Sequence, residues 1–187
     1  MVPGTGILSV LVGPEDHYRG PVDASVVLIE YGDFECPHSA RAHAILQTVL
    51  PELGEDVRFI FRGFPLEQIH AHAQMAAEAA ESIAAHGGND AFWEMHDLLF
   101  ANQDALEPDD LLGYASAVGV DWTVVAEDLA TGAMTARVRA DLKGGIRSGV
   151  NGTPAFFVNG RRFEGNWADA AAFAAALRAA AGRRLTA

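Results

Sequence analysis

The sequence has one cysteine in 187 residues, Cys36, so no internal disulfide framework can hold the chain together. Basic residues are scarce as well. Against 25 Asp and Glu there are 13 Lys and Arg, a formal net charge of −12, and the sequence pI is near 4.8. Neutralising phosphates takes clustered Lys and Arg. The only adjacent basic pairs are Arg161-Arg162 and Arg183-Arg184, so nucleic acid is not an expected partner. No apolar run approaches the roughly 20 residues that a membrane-spanning helix needs. The start of the chain has no basic segment, and the apolar run over residues 7–12 is too short for a secretory signal core. The chain as it stands reads as soluble and cytoplasmic, with no membrane partner. A glycine-rich phosphate loop and a Gly-x-Ser-x-Gly elbow are both missing, and no motif asks for a cofactor.

What is present can build a core: 50% of the residues are hydrophobic and only 20% are charged. The stretch richest in chemistry is Tyr31-Gly32-Asp33-Phe34-Glu35-Cys36-Pro37-His38-Ser39. The apolar run Val26-Val27-Leu28-Ile29 ahead of it predicts a strand, and Ile45, Leu46 and Val49 behind it have helical spacing. Proline suits the first position of a helix, where its missing N–H would have no partner anyway. Cys36 then falls at or next to the N-cap, where free N–H groups and the positive end of the helix dipole are aimed at its sulfur. Such surroundings lower a thiol's pKa and raise the fraction present as reactive thiolate. A lone cysteine is ordinarily a small buried hydrophobe; this one's position argues for chemistry.

In chain order, residues 1–24 are punctuated by Gly4, Gly6, Pro14, Gly20 and Pro21, with residues 7–12 read as a short edge strand and 16–20 as a lead-in loop. Strands over 25–31 and 57–62 flank a helix that starts at Pro37 and is stopped near Leu50 by Pro51 and Gly54. Strand, helix, strand predicts a parallel pair with a right-handed crossover. From 66 to 146 the pattern is helical throughout. Leu66, Ile69, Ala73, Ala76, Ala80 and Ile83 share a face up to Gly87-Gly88, and a dense apolar helix follows from Phe92 to Phe100. Pro108 and Asp121 open two more helices, and a last one ends before Gly144-Gly145. Residues 155–158 and 161–164, joined by Asn159-Gly160, predict a hairpin. A closing helix spans 168–181. His70, His72, His86 and His96, with Glu78 and Glu81, do not make a metal pattern. Two histidines four apart share a helix face, whereas His70 and His72 are two apart, so these residues read as core or solvated and no metal is expected.

The order βαβ, helical segment, ββα resembles the thioredoxin fold. The Cys36-Pro37-His38 segment, followed later by Val150-Asn151-Gly152-Thr153-Pro154, resembles the active-site motifs of DsbA-like thioredoxin-fold oxidoreductases. The resemblance covers roughly residues 20–182. It implies an α/β thioredoxin fold over 1–65 and 147–187, with an all-helical insertion over 66–146. It also implies roles. Cys36 is the attacking thiol, His38 helps to stabilise its thiolate by charge, and the Thr153-Pro154 peptide is cis and holds substrate backbone against the cysteine. Glu30, six positions before Cys36, matches a buried acid that assists proton transfer, although an exposed strand end is an equal reading of its position. One departure matters. The family's second cysteine is Ser39 here, so a dithiol cycle within one molecule is impossible and the acid's client is missing. Ser39 is expected to donate a hydrogen bond to the sulfur instead.

Three functions stay open on these residues. The first, and the expected one, is a thiol–disulfide oxidoreductase working through Cys36 alone. It would form a mixed disulfide with a disulfide, glutathione-type or mycothiol-type substrate and be released by an external thiol. Its catalytic set would be Cys36, Pro37, His38, Ser39 and Glu30, with Thr153 and Pro154 binding substrate. The second is a redox-inactive binding module on the same scaffold. The third is a Cys-to-Ser form of a dithiol enzyme that traps mixed disulfides, or a related transferase or isomerase using a thiol cofactor.

Overall fold

A computed structural model describes residues 6–182. Its centre is made by two runs that are buried along nearly their whole length, β2 (Val26–Gly32) and β3 (Val57–Gly63). They pair in parallel, Val26 opposite Val57 and Gly32 opposite Gly63, and α1 (Pro37–Leu53) connects them. Three further strands add antiparallel. β1 (His17–Arg19) lies on the outer edge of β3, β4 (Ala155–Val158) on that of β2, and β5 (Arg161–Arg162) on β4, giving the order β1-β3-β2-β4-β5. Successive strand residues point to opposite faces. Val26 and Leu28 therefore join Leu46 and Val49 of α1 and Phe173 and Leu177 of α6 (Ala170–Gly182) in one core. Ile29 and Tyr31 join Phe64, Val150 and Phe157 in a second, on the other face. The helical segment between the halves comprises α2 (Ala73–Ala101), α3 (Pro108–Ala117), α4 (Trp122–Thr131) and α5 (Thr135–Arg147). Its Ile83, Phe92, Met95, Leu99, Leu111 and Val125 belong to the same core as Val26 and Leu28.

Several elements differ from the sequence reading, each for a tertiary reason. Residues 7–12 are not a strand. Ile7 makes one isolated bridge to Arg161, while the Val10 and Leu11 carbonyls accept from the buried Arg62 guanidinium at 2.9 and 3.2 Å. Arg62 is anchored by Asp16, with Nε to Oδ1 at 2.7 Å. The expected lead-in loop holds β1, whose Tyr18 pairs with Ile60. The outward amide and carbonyl of Tyr18 are taken by the Asn89 side chain at 2.9 and 3.0 Å, which closes an edge that would otherwise be open to another chain. Pro51 lies inside α1, not at its end; the helix runs on to Leu53, where the Gly54 amide caps it on Leu50. Residues 66–72 do not join α2; carboxylates of the Cys36 turn take the Leu66 and His72 amides, as described below. The expected break at Gly87-Gly88 is a kink inside α2, with Gly88 at φ 80°, a backbone angle that glycine adopts without strain.

Gly144 and Gly145 do not end α5 but lie within it. They permit close approach to the sheet. A Cβ on Gly145 would stand 2.7 Å from Phe64 Cδ2 and 3.0 Å from Tyr31 Cδ1. Overpacking of this kind costs about 1–3 kcal/mol, more than the roughly 1 kcal/mol that alanine gains over glycine in a helix. Gly145→Ala is therefore expected to lower the unfolding free energy in urea by about 1 kcal/mol. Gly113 of α3 has open space around its missing Cβ, and Gly113→Ala should raise stability by about 0.5–1 kcal/mol. Equal effects at the two sites would contradict the packing.

The second half of α2 places His96 among aromatic rings, with Phe61 at 4.7 Å and Phe34 at 5.7 Å between centroids. Burial pushes its pKa down to about 4, so the ring is neutral near pH 7. Phe34 belongs to the Cys36 turn, and its packing on Phe61 and Phe100 holds that turn onto the helical segment.

Candidate active site

Cys36 is the N-cap of α1, with φ −77° and ψ 122°, and Pro37 is the first helical residue. This places the side chain at the positive end of the helix, where the first-turn amides lack intrahelical acceptors. The residue is buried, 4% exposed. Its thiol donates to the Thr153 carbonyl at 3.6 Å. The Thr153-Pro154 peptide is cis, and Thr153 and Pro154 are half-buried beside the sulfur's loop. Pro37 and His38 are exposed on the first turn. Two segments far apart in sequence thus meet at one sulfur.

Ser39 is fully buried. Its hydroxyl accepts from the Asp33 amide at 3.3 Å, and that amide, not the sulfur, is its hydrogen-bond partner among the described residues. The expected donation to Cys36 is not among the hydrogen bonds of the described residues. Glu30 is not an exposed strand end. It is 1% exposed, shares a strand face with Val26 and Leu28, and lies in register between Phe61 and Phe156. Its Oε1 has no hydrogen-bond partner. Burial pushes its pKa up to about 8, so the carboxyl is protonated at neutral pH.

The residue that sequence reasoning missed is Asp33. It is 2% exposed and organises the turn through both carboxylate oxygens. Oδ1 accepts from the Glu35 amide at 2.8 Å. Oδ2 accepts from the Leu66 amide and pairs with His70 Nδ1, both at 2.8 Å. The Cys36 amide donates to the Asp33 carbonyl at 3.1 Å. Glu35 repeats the device one step on, accepting from the His72 amide at 2.6 Å and pairing with His72 Nδ1 at 3.0 Å. The hydrogen bond to the Glu35 carboxylate raises the His72 pKa above the ordinary imidazole value. His70 and His72 are thus fasteners between the loop after β3 and the Cys36 turn. Gln103, just past α2, donates to the Phe34 and Cys36 carbonyls at 2.7 and 3.0 Å. No local sequence signal marks the contacts to Leu66, His70, His72 and Gln103, since these partners are 30 or more residues away.

Asp33→Asn keeps the volume but places N–H₂ where one oxygen now accepts. A buried donor or acceptor left unmatched costs about 1–3 kcal/mol. The variant should lose about 2 kcal/mol of unfolding free energy in urea, and a stability equal to the parent's would refute the role assigned to this carboxylate.

Comparison with known proteins places this arrangement. A thioredoxin family profile matches residues 13–178, and the chain belongs to the thioredoxin family. Solved structures of the same fold include oxidised BdbD from Bacillus subtilis, at TM-score 0.78 and 22% identity over 90% of this chain and 94% of that one. A thioredoxin-like oxidoreductase from Silicibacter pomeroyi aligns at TM-score 0.73 and 25% identity, over 94% and 95% of the two chains. The α-DsbA1 protein of Wolbachia pipientis aligns at TM-score 0.75 and 18% identity, over 94% and 96%. The fold is therefore the DsbA-like form of thioredoxin, a five-stranded sheet with a helical segment between its halves. Curated relatives include the Na⁺/H⁺ antiporter NhaA 1 of Salinispora arenicola, 46% identical over 179 residues, which are 95% of this chain and 27% of that protein. The chain thus spans about 27% of the length of that relative. Among the described residues no helix is long and apolar enough to cross a membrane.

Proposed function

We propose that this chain is a thiol–disulfide oxidoreductase that works through Cys36 alone, by mixed-disulfide exchange. The observation that carries the reading is the meeting of Cys36 Sγ, at the start of α1, with the Thr153 carbonyl ahead of the cis peptide to Pro154. The helix start favours a negative sulfur, and the Thr153-Pro154 loop offers backbone groups beside it to an extended substrate segment. In the first step the Cys36 thiolate attacks one sulfur of a substrate disulfide. A Cys36–substrate disulfide forms, and the second substrate sulfur leaves as thiolate. With Ser39 one turn away there is no resolving thiol in the chain. A thiolate from outside, of glutathione or mycothiol type or from a partner protein, then attacks the substrate sulfur and restores the Cys36 thiolate. Pro37 presets the first turn, and exposed His38 lies where an imidazolium would add positive charge near the sulfur. The ion exchange named for the antiporter relatives is not carried over to this chain, because the site rests on a thiol at a helix start.

Intact mass after incubation with oxidised glutathione tests the reading. It expects one glutathione per chain, bound at Cys36 and released by added reduced thiol. No adduct would remove the proposal and leave a binding role for the same surface. Capture of a partner protein that survives Cys36→Ala would then identify that role.

A further inference from the structure

We propose that His43, His96 and Asp97 form a binding site for Zn²⁺ or a similar divalent transition-metal ion, separate from the Cys36 turn. His43 lies on α1 and the other two on α2. Asp97 Oδ1 stands 3.0 Å from His96 Nδ1 and 3.8 Å from His43 Nε2, and one ligand atom from each residue falls within 4.8 Å of the others. Bond lengths of about 2.0–2.2 Å in a tetrahedral zinc site put neighbouring ligand atoms roughly 3.3–3.5 Å apart. The two Asp97 spacings, 3.0 and 3.8 Å, lie on either side of that value.

Two features argue that this is more than a packing accident. His96 is 1% exposed, and its Nε2 is buried without a hydrogen-bond partner. The ring stands edge-on to Phe61 and Phe100, with interplanar angles of 79° and 78°. An apolar side chain would fill this space without the desolvation penalty of an imidazole. Coordination through Nδ1 would leave the remaining N–H directed among ring faces, a weak but favourable contact, and would give histidine a reason to be there. The second feature is the support around Asp97. Arg19 holds Oδ2 at 2.5 Å and Oδ1 at 3.2 Å, donates to the Trp93 carbonyl at 3.2 Å and stacks over the Trp93 ring at 4.5 Å. Ligating carboxylates are commonly oriented by such outer contacts.

The site is reachable. His43, Asp97 and Arg19 line one end of a cavity of about 370 Å³ whose other walls include Leu46, Leu50 and Phe59. A fourth ligand, water or a small anion, can enter from it. Gln47 Nε2 now lies 2.9 Å from His43 Nε2; its exposed side chain is the group a metal would displace. Two imidazole nitrogens and one carboxylate oxygen suit Zn²⁺, Ni²⁺ or Cu²⁺ and not the oxygen-seeking Mg²⁺ or Ca²⁺. Bound there, the ion would tie α1 to α2 behind the Cys36 turn.

The test uses the full chain freed of metal by chelation. Zn²⁺ is titrated in competition with a chromophoric chelator, and Co²⁺ is added separately to read tetrahedral coordination from its visible spectrum. The expected result is one ion per chain, with affinity lowered at least about 10-fold in both His43→Ala and Asp97→Asn and unchanged in Cys36→Ser. The His43 side chain is largely buried, 11% exposed, and circular dichroism verifies that its variant is folded. Absence of 1:1 binding would overturn the proposal, as would binding that persists in folded His43→Ala. Loss of binding in Cys36→Ser would assign the ion to the thiol and overturn it equally.

Discussion

Ser39→Cys is expected to shorten the life of a Cys36 mixed disulfide by at least about 10²-fold against 1 mM external thiol, since an intramolecular group acts at an effective concentration well above millimolar. Ser39 is the third residue of α1 and Cys36 its N-cap. Side chains at these two positions lie on the same side of the first turn, the relation on which capping boxes depend. A thiol at 39 would attack Cys36 Sγ, expel the substrate thiolate and leave an internal disulfide, seen as a mass lower by two hydrogen atoms. Position 39 is fully buried, so the new sulfur would be shielded from outside oxidants. The measurement is the decay of the glutathione adduct by intact mass, with Cys36→Ala as the background in which no adduct forms. An unchanged lifetime would mean that residue 39 does not occupy a resolving position, and the account of why the parent needs an external thiol would fail.

Glu30→Leu should stabilise the protein at neutral pH by roughly 3 kcal/mol, with a dependence on pH that identifies the cause. Burial raises the Glu30 pKa from 4.5 to about 8. Below 4.5 the folded and unfolded chains both carry the proton, and the group imposes no penalty. Between 4.5 and 8 the unfolded chain ionises while the folded chain stays protonated, so stability falls by about 1.4 kcal/mol per pH unit. The loss is complete once pH passes the folded value. Leucine has no proton to lose and fits a strand face shared with Val26 and Leu28. Urea denaturation from pH 4.5 to 8.5 should show parent stability declining while the variant's stays level in this respect. Parallel curves would show that Glu30 is ionised in the folded protein. A buried carboxyl with an unpartnered Oε1 is a perturbed group of the kind that clusters at functional sites.

Much of the architecture was legible from local pattern. The continuous apolar runs of β2 and β3, Pro108 opening α3, Asp121 capping α4 on the Thr123 amide and the Asn159-Gly160 turn, with φ 49° and 77°, all follow from rules acting over a few residues. So does Cys36 at a helix start, because Pro37 and the preceding strand bracket it. What failed was decided at a distance. His17-Tyr18-Arg19 is too short to declare itself a strand, and becomes one because β3 has a free edge and Asn89 covers the outer side. Leu66 and Ile69 carry helical spacing, yet the Leu66 amide is taken by Asp33 and the His72 amide by Glu35, so the helix waits until Ala73. Gly144-Gly145 reads as a stop but is a contact surface for Phe64 and Tyr31.

The sequence by itself determined the central strands β2 and β3 and most of the helices, which cysteine would stand at a helix start, and that no second thiol could follow it. Those properties depend on hydrophobic period, proline geometry and composition, which act locally. Only the tertiary structure decided that Asp33 would hold the Cys36 turn, that Glu30 would be sealed between Phe61 and Phe156, and that His43 would meet His96 and Asp97. Each depends on burial and hydrogen bonding between residues brought together by the closing of the sheet, and such energies exist only once the chain has folded.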